Sequence, residues 1–80
     1  MYMVYVLKSV GFGRHYTGMT DNLERRLEEH NNGKTKSTRA YKPWVIVYSE
    51  EYQTREEARI REKYLKSGSG REWLKKKMAS

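Results

Sequence analysis

Residues 1–18, MYMVYVLKSVGFGRHYTG, decide the fold. Met1 to Lys8 is a near-continuous run of apolar, β-branched and aromatic side chains, the pattern of a strand buried on both faces. Ser9 to Arg14 carries two glycines around Phe12 and reads as a hairpin loop. His15 to Gly18 then returns as a second strand antiparallel to the first. Gly18 marks a place where the backbone turns sharply or another group comes close.

The rest of the chain supplies helices and one more strand. Asp21 with Glu24 three residues on is the expected cap of a first helix, which Gly33 stops. Asn32 to Pro43 reads as a flexible basic loop bearing Lys34, Lys36, Arg39 and Lys42. Pro43 leads into a third strand, Trp44 to Ser49. Thr54 and Glu57 form a capping box for a second helix running to about Lys66. Ser67-Gly68-Ser69-Gly70 is expected to break it ahead of a short tail helix, Arg71 to Met78, with Lys75, Lys76 and Lys77. The expected class is α+β: a three-stranded antiparallel sheet flanked by helices, in the order ββαβα with a short C-terminal helix.

Composition narrows the function. Eighty residues are expected to form one domain, 1–80, with a compact core, since a chain this short buries only about 60% of its unfolded surface. There is no cysteine, which excludes a disulfide framework, a thiolate zinc site and a cysteine nucleophile. No apolar run approaches the roughly 20 residues that span a bilayer, and no secretory leader opens the chain, so a cytoplasmic protein is expected. Seventeen Lys and Arg against ten Asp and Glu give a net charge of +7. That excess favours nucleic acid as partner over an acidic membrane, the bland alternative being solubility alone.

Helical geometry turns the pattern into a site. Spacing of 3.6 residues puts Leu23, Arg26, Leu27 and His30 on one face of the first helix, toward the sheet, with Glu24, Arg25, Glu28 and Glu29 elsewhere. An inward arginine either snorkels or has a partner, for which Glu62 is a candidate. On the second helix Ala58, Glu62 and Leu65 share a stripe, and Ile60 and Tyr64 form an adjacent apolar one. Glu62 thus stands where an apolar residue belongs and must be protonated, paired or bound to a cation. Tyr5 and Tyr16 read individually as strand packing residues. If the hairpin pairs as expected, both hydroxyls reach the inward faces of the helices. Two tyrosines, a guanidinium and a carboxylate converging there suit phosphoryl chemistry.

With these residues in place, the chain resembles the GIY-YIG nuclease superfamily, in which tyrosines, an arginine and a glutamate cut phosphodiester bonds with one divalent metal. Val4-Tyr5-Val6 and Tyr16-Thr17-Gly18 match the two tyrosine motifs, and Arg26 follows Tyr16 by ten residues, as the family's catalytic arginine does. His30 falls one helical turn later, and Glu62 lies on the helix after the third strand, the place of the metal-binding glutamate. The run from Tyr16 to Asn31 is similar to the short stand-alone (YhbQ-like) members and to the N-terminal nuclease of the excision-repair protein UvrC. The resemblance implies a DNA endonuclease using Mg²⁺ or Mn²⁺ on Glu62, with Tyr5, Tyr16, Arg26 and His30 catalytic and Tyr16 activating water. It also gives Arg14, Lys34, Lys36, Arg39 and Lys42 a task, as sequence-independent contacts to DNA phosphates. Tyr41 and Trp44 beside that loop are candidates for base stacking, Trp44 more so for the core.

There are departures. The first motif lacks its leading glycine, and Thr17 stands where isoleucine is usual. Met19 occupies the place of a lysine in the excision-repair branch, and the C-terminal region has no asparagine. The lost groups would help position phosphate, so lower efficiency is expected. The leading expectation is a weakly sequence-specific or structure-selective endonuclease serving repair or recombination. The alternatives are a non-catalytic nucleic-acid-binding module with a degraded site, and a helper docking onto a nucleic-acid-processing complex.

Overall fold

The computed structural model describes residues 1–79. Its elements are β1 (Tyr2–Ser9), β2 (His15–Thr20), α1 (Leu23–Asn31), a 3₁₀ turn (Arg39–Tyr41), β3 (Trp44–Tyr52), α2 (Arg55–Lys66) and α3 (Gly68–Ala79). The three strands form one antiparallel sheet in the order β2-β1-β3, the expected α+β architecture. β1 is central, which explains its unpunctuated apolar run: Val4, Tyr5, Val6 and Leu7 are all buried. Alternation along the strand divides them between two faces. Val4 and Val6 join Ala58, Leu65 and Leu74 under α2 and α3. Tyr5 and Leu7 join Trp44, with Tyr16, Leu23 and Leu27 packed against them on the α1 side.

The hairpin register places Tyr5 opposite Gly18 and Leu7 opposite Tyr16, so both tyrosines share the α1 face. An irregularity between Val6 and Leu7 shifts the pairing with β3, from Val6–Tyr48 to Leu7–Ile46. β3 runs on to Tyr52 instead of stopping at Ser49. It stays paired with the start of β1, Tyr2 opposite Tyr52, and Glu50 fastens this extension. Its carboxylate accepts hydrogen bonds from Arg61 Nε at 2.9 Å, Arg61 Nη2 at 3.0 Å, Tyr52 at 2.6 Å and the Tyr48 hydroxyl. The Arg61 guanidinium in turn lies 4.6 Å from the Trp73 ring centroid, so one cluster ties β3 to α2 and α3.

Three local expectations are corrected. The α1 cap is Asn22, whose side chain accepts from the Arg25 amide; Asp21 instead pairs with the Arg25 guanidinium at 3.1 Å. Ser67-Gly68-Ser69-Gly70 does not separate two helices by a loop, because α3 starts at Gly68, with Ser67 alone between it and the end of α2. Gly70 lets the backbones meet: a Cβ there would lie 1.9 Å from the Tyr64 carbonyl oxygen. The expected apolar stripe of Ile60 and Tyr64 is not packed, Ile60 being 71% exposed. α2 is turned so that Ala58 and Leu65 meet the sheet, and Arg61 and Glu62 are half-buried beside them. The Thr54–Glu57 capping box forms as expected, and Gly33 closes α1.

Candidate active site

The α1 face of the hairpin gathers the side chains that break the pattern. His30 and Thr38 are 0% and 1% exposed, the most buried polar groups near it. His30 Nε2 lies 3.1 Å from the Tyr5 hydroxyl, and Nδ1 lies 2.7 Å from the Thr38 hydroxyl, which also reaches the Thr35 carbonyl at 3.4 Å. Burial lowers the His30 pKa, and the Arg26 charge lowers it further against a smaller opposing effect of Glu29. The imidazole is therefore neutral at pH 7. Burial likewise pushes the Tyr5 phenol up to about 12, with Arg26 working against it and the Tyr16 and Glu62 groups adding to it. Tyr5 keeps its proton.

Gly18 makes room for this arrangement. A Cβ on it would sit 2.6 Å from the Tyr5 hydroxyl oxygen, so only glycine permits the phenol to lie across β2. The Tyr16 ring stands 4.9 Å from the His30 ring and 6.3 Å from that of Tyr5, centroid to centroid. Unlike Tyr5 it is partly open to solvent. Arg26 donates to Glu29 at 3.0 Å, not to Glu62, and its charge acts on both tyrosines. The structure thus brings Tyr5, Tyr16, Arg26 and His30 together.

Glu62 arrives from α2, on the other side of the sheet. Its side chain is 13% exposed, and Oε2 accepts from Lys66 Nζ at 3.1 Å, one turn along the helix. Its charge is the smallest of the effects that raise the Tyr5 pKa. No cluster of three or more His, Asp or Glu side chains suited to a metal exists among the described residues. Glu62 offers one carboxylate, the kind of oxygen donor that Mg²⁺ and Mn²⁺ take together with water and phosphate.

The sequence profile of the GIY-YIG catalytic domain matches residues 1–77. The chain belongs to the GIY-YIG family. A UPF0213 protein of Clostridium perfringens is 45% identical over 67 residues, covering 82% of this chain and 71% of that protein. One of Staphylococcus haemolyticus is 43% identical over 61 residues, covering 75% and 74%. The solution NMR structure of the UPF0213 protein BH0048 from Bacillus halodurans is 35% identical, covers 92% of this chain and 82% of that one, and superposes with a TM-score of 0.54. GIY-YIG is a nuclease superfamily, and the match spans every element that contributes to the cluster.

Around the GIY-YIG cluster the cationic loop is anchored at its ends and at Thr38. Asn31 bonds both backbone groups of Trp44, at 2.6 and 3.1 Å, and the Trp44 indole N–H donates to the Thr38 carbonyl at 2.9 Å. Trp44 is therefore core, 3% exposed, and not a stacking platform. Lys34, Lys36, Arg39 and Lys42 project from the outside of this packed loop. The Arg14 guanidinium joins them from the hairpin, 4.3 Å from the centroid of the Tyr41 ring. Sequence reasoning missed Thr38 and Lys66. Thr38 carries no motif or periodicity, and Lys66 looks like an ordinary solvated helix residue.

Proposed function

We propose that this chain is a metal-dependent DNA endonuclease, weakly sequence-specific or structure-selective, acting on cytoplasmic DNA in repair or recombination. The observation that carries the reading is the convergence of two tyrosines, a neutral histidine and an arginine from three elements, across a glycine that only their packing requires. The reaction is hydrolysis: a water oxygen bonds to phosphorus, the bond to the leaving deoxyribose oxygen breaks, the attacking water gives up a proton, and the leaving oxygen gains one from solvent. Tyr16 is the partly exposed group that faces the attacking water and helps remove its proton. Arg26 stabilises the charge developing on the phosphoryl oxygens. Tyr5 is the anchor. It donates to His30 Nε2, and the Thr38 hydroxyl, with its own proton directed at the Thr35 carbonyl, accepts from Nδ1–H and so sets the tautomer.

Glu62 would hold the divalent ion, Mg²⁺ or Mn²⁺, which supplies Lewis-acid polarisation of the phosphate when bound. Lys66 donates to this carboxylate at 3.1 Å and fixes its orientation along the helix. Arg14, Lys34, Lys36, Arg39 and Lys42 bind the backbone phosphates of the substrate.

The test is cleavage of fluorescent single-stranded, duplex and branched DNA with and without Mg²⁺ or Mn²⁺. Wild type cuts, whereas Glu62→Ala and Tyr16→Phe lose at least about 100-fold in rate, on the order of a lost transition-state stabiliser, and still bind DNA. Binding without cutting by wild type in either metal would refute the reading and leave a nucleic-acid-binding module. Met19 in the usual lysine place and the Lys66–Glu62 ion pair are what favour that second outcome.

A further inference from the structure

Between the free edge of β2 and the two C-terminal helices lies an open groove of about 680 Å³ that shares only Arg14, Tyr16 and Lys66 with the chemistry above. Its floor is apolar, formed by Val6, Leu65, Leu74 and Met78. Its rim is cationic, with Lys66, Arg71 and Lys75 contributed by α2 and α3 and Arg14 from the hairpin, and no acidic side chain among the described residues lines it. One wall is Tyr16 and Thr17. Tyr16 also faces His30, so the groove opens directly off the cluster. The basic loop lies on the α1 side of the sheet, whereas the groove lies on the side of α2 and α3, and Arg14 at the β2 edge both packs on Tyr41 and lines the groove. A DNA chain crossing the β2 edge at Tyr16 therefore meets cations on both sides of the crossing.

The two cationic surfaces differ in kind. The loop offers charge on a convex surface, which suits the backbone of any duplex. The groove offers charge above a concave apolar floor. Bases stacked in a duplex do not present their faces to such a floor, but unpaired bases do. We propose that the groove binds the unpaired strand adjoining the scissile phosphate, with its bases over the partly exposed Met78 and its phosphates on Arg71 and Lys75. The protein then selects DNA with a single-stranded segment over continuous duplex. This deepens the endonuclease reading and rests on it for the word scissile, while the binding itself needs no cleavage.

The experiment is fluorescence anisotropy on the full chain in EDTA, where no cutting occurs, with an oligothymidylate and a blunt duplex of equal length. Arg71→Glu combined with Lys75→Glu weakens oligothymidylate binding at least tenfold and duplex binding less than twofold. The slope of log affinity against log salt for the single strand falls in magnitude by about 1.4, for two lost phosphate contacts. Met78→Lys separates stacking from charge. It adds a cation, so a purely electrostatic groove would bind more tightly, whereas loss of a base-stacking floor weakens binding; circular dichroism verifies that both variants fold. Amide shifts on adding oligothymidylate are expected at Thr17, Leu65 and Leu74. Equal losses for single strand and duplex, tighter binding by Met78→Lys, or shifts confined to residues 34–42 would overturn the proposal. Groove binding without any metal-dependent cutting would refute the endonuclease reading and leave the groove assignment standing. Cutting that the groove substitutions leave indifferent to strandedness would do the reverse.

Discussion

Thr38 is the residue on which the candidate site turns, although nothing in its sequence context announces it. Buried and 2.7 Å from His30 Nδ1, it decides which imidazole nitrogen carries the proton. Thr38→Val preserves shape and leaves Nδ1 unpaired, at a stability cost of about 1–3 kcal/mol. Cleavage falls at least about tenfold, in line with loss of a group that orients a catalytic base or its partner, and Thr38→Ser restores most of it. Nitrogen chemical shifts of the imidazole check the tautomer directly. The His30 pKa lies below its ordinary 6.5, lowered chiefly by burial, so protonation favours the unfolded chain. Stability from this group is complete above pH 6.5 and declines as pH falls through the lowered folded value. Thermal melts between pH 7.5 and 5 should show that decline in wild type and a flatter profile in His30→Gln. Tyr5, Tyr16, Arg26, His30 and Glu62 could all be picked out from chain spacing and resemblance, because helix and strand periods are local rules. Thr38 could not, because its partner lies across a loop and hydrogen-bond partnership has no period.

At the scale of elements, α1 and α2 follow their caps and α3 follows its packing. Asn22 and Thr54 each satisfy an orphan amide at a helix start, and these ends were legible to within a residue. The start of α3 was not, because Ser-Gly-Ser-Gly reads locally as a breaker. Gly70 is there for the close approach of one helix to the next, which only the folded molecule imposes. Gly70→Ala forces the backbones apart and is expected to cost about 3 kcal/mol, the upper end of overpacking penalties, as measured by urea unfolding. The damage centres on α3, so the groove loses its wall and oligothymidylate binding suffers more than the Tyr5–His30 contact. The Glu50–Arg61 cluster was also invisible in the chain. Its residues belong to a strand and a helix whose facing surfaces are set only when both dock on the sheet.

At the scale of the molecule, charge and chemistry are arranged about one sheet edge. The net charge of +7 is divided between the loop on one side and the helix pair on the other, with the tyrosines between them. Lys36→Glu with Arg39→Glu is expected to weaken duplex binding about uniformly over sequence. It should also reduce the magnitude of the salt slope by about 1.8, that is two phosphate contacts on B-form DNA. Anisotropy titrations between about 50 and 200 mM salt, over which the Debye length roughly halves, measure both. The amino-acid sequence by itself determined the strand and helix order, the central place of Val4 to Leu7, the basic character and the family, since each follows from local period, capping chemistry or composition. The tertiary structure alone decided that Tyr5 is sealed against His30, that Tyr16 stays open, and that a cationic groove lies beside them. Those outcomes depend on which faces meet across the sheet, and no rule of spacing along a chain encodes the distance between two side chains on different elements.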